Sequence, residues 1–296
     1  MSKSTKCAIC ATLGNYKVKF KSTIDENTFS IEVFSARRLP DRRHYQWVIC
    51  NTCGLYRSDP IQDVDLFQLY KQSTFDYTSA LDDLRNSYRK LLEKSNMDFK
   101  NKSILELGGG NGFFLLEAEK LGFTRFVEIE PSQSARSEAA PRFKKFFISE
   151  MLRPGLVESS SQDVITAFHV LDHLPEPRES VLILKDYLKP DGQLILAVHN
   201  VKSFSALFLK NKSPIFDVEH TYLFSKKTLK MLLMSVGFRN VEVKHYKNTY
   251  SIAYLIHLIP IPKKLKITLL DSCLKDFLRR SKLKLPLGNI YAIATK

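Results

Sequence analysis

The stretch Glu106-Leu107-Gly108-Gly109-Gly110-Asn111-Gly112 stands directly after an apolar run, 103–107, and directly before a run of helical period, 113–121. Glycines between a strand and a helix let the backbone turn sharply and approach a ligand, while the helix N-terminus that follows supplies free amide donors. The same rhythm continues outward. Strand-like 126–129 precedes helical 132–140, 164–168 precedes 180–188, and 193–198 ends the series. Alternation of this kind predicts an α/β fold with a doubly wound, Rossmann-like sheet. Glu130 lies 22 residues after Gly108 at the end of the second strand, where a carboxylate can accept both hydroxyls of a ribose. The loop is spaced Glu-x-Gly-x-Gly-x-Gly, not the Gly-x-Gly-x-x-Gly of nicotinamide dinucleotide sites.

Three further stretches accompany the loop: Val127-Glu128-Ile129-Glu130-Pro131-Ser132, then Asp163-Val164-Ile165-Thr166-Ala167-Phe168-His169-Val170-Leu171-Asp172-His173-Leu174-Pro175, then Leu188-Lys189-Pro190-Asp191-Gly192-Gln193-Leu194. In this order the four motifs resemble the class I S-adenosylmethionine-dependent methyltransferases over residues 100–250. The resemblance implies a seven-stranded methyltransferase sheet whose last strand, 288–295, is antiparallel and inserted beside 241–246. It also implies S-adenosyl-L-methionine as cofactor. Glu106, Gly108, Gly110 and Gly112 would hold its methionine and ribose portion, Glu130 the ribose, and Phe168 and His169 would lie near the sulfonium. The adenine would sit around Ser149 and Glu150.

Near the start of the chain, Cys7-Ala-Ile-Cys10 and Cys50-Asn-Thr-Cys53-Gly54 form two matched knuckles. Each two-residue gap lets a tight turn aim both thiolates at one ion, and four sulfurs suit tetrahedral Zn²⁺. Four thiolates leave no open coordination position, so Cys7, Cys10, Cys50 and Cys53 point to a structural zinc and not a catalytic one. Two buried pairs of reduced cysteine are the alternative. Cys273 stands apart as a spare thiol. A small zinc-binding module is therefore expected over 1–64, with strands at 16–20 and 28–34 and a basic turn at 37–43. Linking helices follow over 65–100, interrupted at Phe75-Asp76-Tyr77, and the methyltransferase domain occupies 101–296.

The knuckles, followed by Gly54-Leu55-Tyr56 and Leu69-Tyr70, are also similar to a zinc-bearing subgroup of sugar methyltransferases. Members of its C-methylating branch carry a further large C-terminal domain that is not found here. Methyl transfer to a hydroxyl needs alignment plus a base, and histidine has a suitable pKa. His169 and His173 fall after the fourth strand, His199 after the fifth, and His220 in the crossover Asp217-Val218-Glu219-His220-Thr221-Tyr222. His169 or His220 is read as the catalytic base, each against the alternative of a structural histidine. The run His169-x-x-Asp172-His173 resembles the Glu-x-x-Glu-His of ubiquinone-pathway O-methyltransferases and so implies a candidate site for a second divalent ion. Alternatively, Asp172 and His173 cap the helix that Pro175 and Pro177 announce.

The 296 residues carry a net charge of +14, and nine basic against two acidic residues fall after position 253. There, 254–287 mixes Leu, Ile and Phe with Lys and Arg at helical spacing. It reads as a helical insertion that meets an anionic membrane surface or a phosphorylated acceptor, or else as an ordinary helix with a solvated lysine face. No run is long enough to span a bilayer. The expectation is a cytoplasmic chain, peripheral at the inner face of the membrane. It would methylate a hydroxyl of a nucleotide- or lipid-linked sugar in surface glycan (polysaccharide) biosynthesis. Two alternatives stand beside this: a ribosomal RNA methyltransferase, and a non-catalytic S-adenosylmethionine-binding adaptor. Nucleic acid is ranked lower as a partner because the charge of the core is close to balanced, the zinc spacing is long, and no Asn-Pro-Pro-Tyr-type motif is present.

Overall fold

A computed structural model describes residues 2–24, 43–72, 81–258, 262–271 and 274–296. The expected strand at 28–34, most of the basic turn, Phe75-Asp76-Tyr77 and Cys273 lie outside the described residues. The N-terminal segment contributes β1 (Ser2–Lys3), β2 (Tyr16–Phe20), β3 (Trp47–Cys50), β4 (Tyr56–Ser58) and β5 (Ile61–Gln62). Two helices link it onward, α1 (Leu66–Gln72) and α2 (Leu81–Glu93). Then come β6 (Ser103–Leu107), α3 (Leu115–Lys120), β7 (Arg125–Ile129), α4 (Gln133–Glu138), β8 (Phe147–Ile148), β9 (Gln162–Phe168), α5 (Pro177–Tyr187) and β10 (Leu188–His199). After them follow α6 (Phe204–Leu209), β11 (Tyr222–Leu223), α7 (Lys226–Ser235), β12 (Arg239–Ser251), α8 (Ile252–Leu258), α9 (Lys263–Leu270), α10 (Lys275–Arg280) and β13 (Lys282–Thr295).

Seven strands form the main sheet in the order β12-β13-β10-β9-β6-β7-β8. β6 through β10 run parallel, and β13 lies antiparallel between β10 and β12. The fold is thus the expected doubly wound α/β sheet with an antiparallel last strand. Its central strands are buried on both faces: every residue of β6 and β9 is buried, as a parallel sheet covered by helices requires. Local capping fixes the helix starts. Ser132 accepts from the Ala135 amide at the head of α4, Ser225 and Thr228 form a capping box on α7, and Pro177 opens α5. Asp172 and His173 do not cap α5, because Glu176 occupies the N-cap position.

The 254–287 insertion is not helical throughout. β13 begins at Lys282, and Ser251 pairs with Lys282 and Tyr250 with Leu283. The last two strands therefore continue past the sheet as a hairpin, with α8, α9 and α10 between them. Residues 282–287 are strand because antiparallel partners on β12 satisfy their backbone, which outweighs their helical periodicity. Gly288 marks the crossing point, since a Cβ there would sit 3.0 Å from Ser203 Oγ at a φ of +146°.

The N-terminal segment is joined closely to the rest. Its four-stranded sheet runs β11-β4-β3-β2, so one strand, Tyr222–Leu223, comes from far along the chain. Cys7, Cys50, Cys53 and Leu55 share one apolar core with Leu171, Leu174, Phe224 and Leu229. Tyr222 Oη also donates to the Lys6 carbonyl at 2.7 Å.

Candidate functional site

At the carboxyl end of β6, Gly108, Gly110 and Gly112 all have φ between 62° and 68°, the left-handed region that a side chain makes costly. Gly109 is required for a different reason. A Cβ on it would fall 2.4 Å from the carboxylates of both Glu106 and Glu128. The Gly109 amide donates to Glu128 Oε1 at 2.9 Å and the Gly110 amide to Glu130 Oε2 at 3.0 Å. Ser132 N–H donates to the other Glu130 oxygen at 2.9 Å. Glu130 is thereby held at the end of β7.

Three carboxylates thus surround the glycine turn, all of them buried. Burial pushes Glu106 up to about 8, and it lifts Glu128, with the charges of Glu106 and Glu130 adding to the effect. Burial raises Glu130 as well, against the two amides that hold it. Glu106 Oε2 and Glu128 Oε2 have no hydrogen-bond partner, and orphaned buried acceptors of this kind suit a cationic ligand. A cradle that a Cβ would fill, lined by carboxylates, fits S-adenosylmethionine with its ammonium and sulfonium charges. Ser149 and Glu150 directly follow β8, with Glu150 paired to Arg153 at 2.7 Å.

Beside the loop, Phe168 ends β9, and Tyr88 of α2 stacks on it with ring centroids 4.2 Å apart. Phe114 meets the same ring edge-on at 5.2 Å. His169 comes next, with a φ of +58° that is uncommon outside glycine, and its Nε2 lies 2.8 Å from Tyr246 Oη on β12. Beyond it, the ring of His199 is 4.7 Å from that of His169 and 4.8 Å from that of His220.

Asp172 is the centre of this histidine group and is wholly buried. Its Oδ2 lies 2.8 Å from His199 Nδ1 and accepts the His199 backbone N–H at 3.2 Å. Burial alone would raise its pKa, but His199, His173 and His220 hold it well below the ordinary carboxylate range. Burial would likewise lower His220; Asp217 outweighs it, with Asp172 and Glu219 adding, and lifts His220 to about 9. Desolvation and the neighbouring His220 charge lower His173 to about 4. Backbone bonds tie the group to the N-terminal sheet. Thr221 and Tyr222 amides donate to the Asp172 carbonyl, and Ser58 Oγ donates to the His220 carbonyl.

The structure therefore brings His169, His173, His199 and His220 to one place, at the carboxyl end of β9 and β10. It regroups the suggested second metal set. His169 joins Asp172 and His199, while His173 joins Asp172 and His220. The four cysteines also converge, with their sulfurs within 4.8 Å of one another and Cys7 Sγ 3.4 Å from Cys53 Sγ. A hydrogen bond from Cys53 holds Cys7 down to about 5, and burial pushes Cys10 up to about 11. Four thiols sharing protons at this spacing fit the donor set of a tetrahedral ion.

Sequence reasoning missed Glu128, Tyr246, Tyr88 and Tyr70 as site residues. Glu128 was detectable, because it sits two residues before Glu130 and so faces the same side of its strand. The Tyr70 phenol is pushed far up by burial and by the charges of Glu219, Glu130, Asp217 and Asp172. Nothing local announces that position.

A family model described as a methyltransferase domain matches residues 78–243, more than half of the chain. Curated relatives named tRNA U34 carboxymethyltransferase include one from Aliivibrio salmonicida, 30% identical over 151 residues that make up 49% of this chain and 47% of that protein. A second, from Vibrio vulnificus strain YJ016, is 28% identical over the same length. The chain spans about half the length of the curated relatives it matches. Among solved structures, a SAM-dependent methyltransferase from Archaeoglobus fulgidus superposes with a TM-score of 0.50 at 18% identity, covering 75% of this chain and 100% of that one. A phosphoethanolamine N-methyltransferase from Haemonchus contortus gives 0.52 at 11% identity, over 86% and 65% of the two chains. Both structural likenesses show the fold alone. Matched motifs, sheet order and glycine cradle agree: the chain belongs to the methyltransferase-domain family.

Proposed function

We propose that the chain methylates an ionisable oxygen or nitrogen whose proton His169 removes. The observation that carries this reading is the His169–Tyr246 hydrogen bond, placed one residue beyond Phe168 and beside the glycine cradle. When bound, S-adenosylmethionine supplies an electrophilic methyl group, and in-line displacement then asks the protein for alignment and proton removal. Glu106, Gly108, Gly110, Gly112 and Glu130 would hold the cofactor. Phe168, packed under Tyr88, would form the wall beside its sulfonium. Tyr246 fixes the imidazole of His169, and His169 then takes the acceptor proton through its other nitrogen. His220 is the alternative base. Its Nδ1 is committed to Asp217 Oδ1 at 2.8 Å and the ring is buried, which leaves it second to His169 for that role.

For the acceptor, we place a nucleoside of transfer RNA ahead of the sugar. The support is the set of curated relatives named for transfer-RNA modification, matched over the catalytic half. A lipid-linked sugar has one observation in its favour. Phe204, Leu207 and Phe208 on α6 are exposed, with Lys202 and Lys210 at its two ends, and so are Leu265, Ile267, Leu274 and Phe277 beyond the sheet, interleaved with Lys266 and Lys275. Such a face suits peripheral contact with an anionic bilayer. Among the described residues no helix is long and apolar enough to cross one. The four-cysteine cluster is assigned a structural zinc. Transfer of labelled methyl from S-adenosylmethionine into total transfer RNA, run beside a lipid-linked glycan fraction, separates the acceptors. Label in the glycan alone would overturn the RNA reading, and label in neither with intact cofactor binding would favour an adaptor.

A further inference from the structure

We propose that Asp172, His173 and His220 bind one divalent transition-metal ion, separate from the four-cysteine cluster and beside the base His169. Their donor atoms lie within 4.8 Å of one another. His220 is already arranged as a metal ligand would be. Its Nδ1 bonds Asp217 Oδ1 at 2.8 Å, and that same oxygen accepts the backbone N–H of Glu219 and of His220, each at 2.9 Å. A carboxylate behind one ring nitrogen places the proton there and leaves the other nitrogen's lone pair to face an ion. That nitrogen, His220 Nε2, is buried and has no hydrogen-bond partner, while Asp172 is held by His199 through Oδ2, the oxygen nearest His220, and keeps an unpartnered Oδ1.

The separation of the two groups agrees with this. His220 Nε2 and Asp172 Oδ2 are 3.8 Å apart, too far for a hydrogen bond. Two bonds of about 2.1 Å to a shared ion span that gap at an open angle. His173 supplies the third donor, its ring 4.4 Å from that of His220. The competing set of His169, Asp172 and His199 uses the same carboxylate, and His199 Nδ1 is already committed to Asp172 at 2.8 Å. One ion is therefore assigned to this centre, not two. Two imidazoles and one carboxylate suit zinc, ferrous or manganous ions better than Mg²⁺, and they leave coordination positions open. An acceptor oxygen in such a position would be polarised next to His169. This role rests on the methyl-transfer reading above, whereas binding of the ion does not.

The test is cobalt titration of protein whose cysteine cluster is already filled with zinc, with S-adenosylhomocysteine affinity measured on every sample. One cobalt per chain is expected, with visible bands free of thiolate charge transfer. Asp217→Asn leaves all three ligands in place and should weaken cobalt binding about 10- to 100-fold, the usual cost of losing a carboxylate behind a ligating histidine. His173→Ala should weaken it at least as much. Asp172→Asn is buried and risks misfolding, so the two milder variants decide. The proposal is overturned if zinc-filled protein takes up no cobalt, if uptake carries thiolate bands, or if Asp217→Asn and His173→Ala bind as tightly as the parent. Intact S-adenosylhomocysteine binding in those cases would leave the methyltransferase reading untouched.

Discussion

Replacing Glu128 by glutamine should make the protein more stable at alkaline pH while leaving it unchanged in acid. Glu106 and Glu128 face each other beneath Gly109, and burial pushes Glu106 up to about 8 and Glu128 well above its usual range. The folded protein thus keeps a proton that the unfolded chain sheds above about pH 4.5. Stability that is full below that pH must fall as the pH rises toward 8. The slope is about 1.4 kcal/mol per pH unit for one proton, so the loss across the window is on the order of 4 kcal/mol. Glutamine at 128 can still accept from the Gly109 amide, and its NH₂ can donate to Glu106, which lets Glu106 ionise at a lower pH. At about 2 °C per kcal/mol in a chain of this size, the melting temperature of the variant should gain about 5–10 °C on the parent between pH 5 and pH 8. Thermal melts in matched buffers measure this directly. Parallel pH profiles for the two proteins would refute the shared-proton argument.

Gly110→Val forces a side chain into a φ of +62° and should abolish S-adenosylhomocysteine binding, while Glu130→Ala should weaken it by about 1.5–3 kcal/mol for each charge-assisted bond lost; calorimetry reads both. Changing Cys50 and Cys53 to serine should remove about one equivalent of zinc by elemental analysis and lower the melting temperature, because both thiols belong to the shared core. His169→Ala should reduce turnover about 10²- to 10⁴-fold with cofactor affinity unchanged; a smaller loss than that of His220→Ala would transfer the role of base to His220. Changing Lys263, Lys264, Arg279 and Arg280 to glutamine should reduce co-sedimentation with anionic vesicles, since each cation near such a surface contributes about 1 kcal/mol. Parent protein that ignores the vesicles at low salt would remove the membrane contact.

The parts legible in sequence were those set by local chemistry. Glycines 108, 110 and 112 announced a turn with positive φ, the run of apolar strands announced a parallel sheet, and matched knuckles announced a convergence of thiols. What stayed hidden depended on partners far along the chain. Tyr246 looked like one more strand residue until β12 carried it to His169, 77 positions away. Tyr70 looked like an apolar helix position. The stretch 282–287 misled because its lysines and leucines fit a helical wheel as well as a strand, and pairing across a hairpin is not written in either segment alone.

The strand Tyr222–Leu223 has a consequence for how such chains can be taken apart. Because it completes the cysteine-bearing sheet, the first 64 residues are not a detachable cassette. A protein cut to begin at 65 would bare one edge of β11 and the apolar side chains behind it, and it would also lose the Ser58 bonds that hold His220 and its neighbour in place. Grafting the segment onto another methyltransferase would fail for the mirror-image reason, since the recipient must offer a strand of matching register. Such exchange should succeed only between chains that trade both pieces together, so the two are expected to have been inherited as a unit.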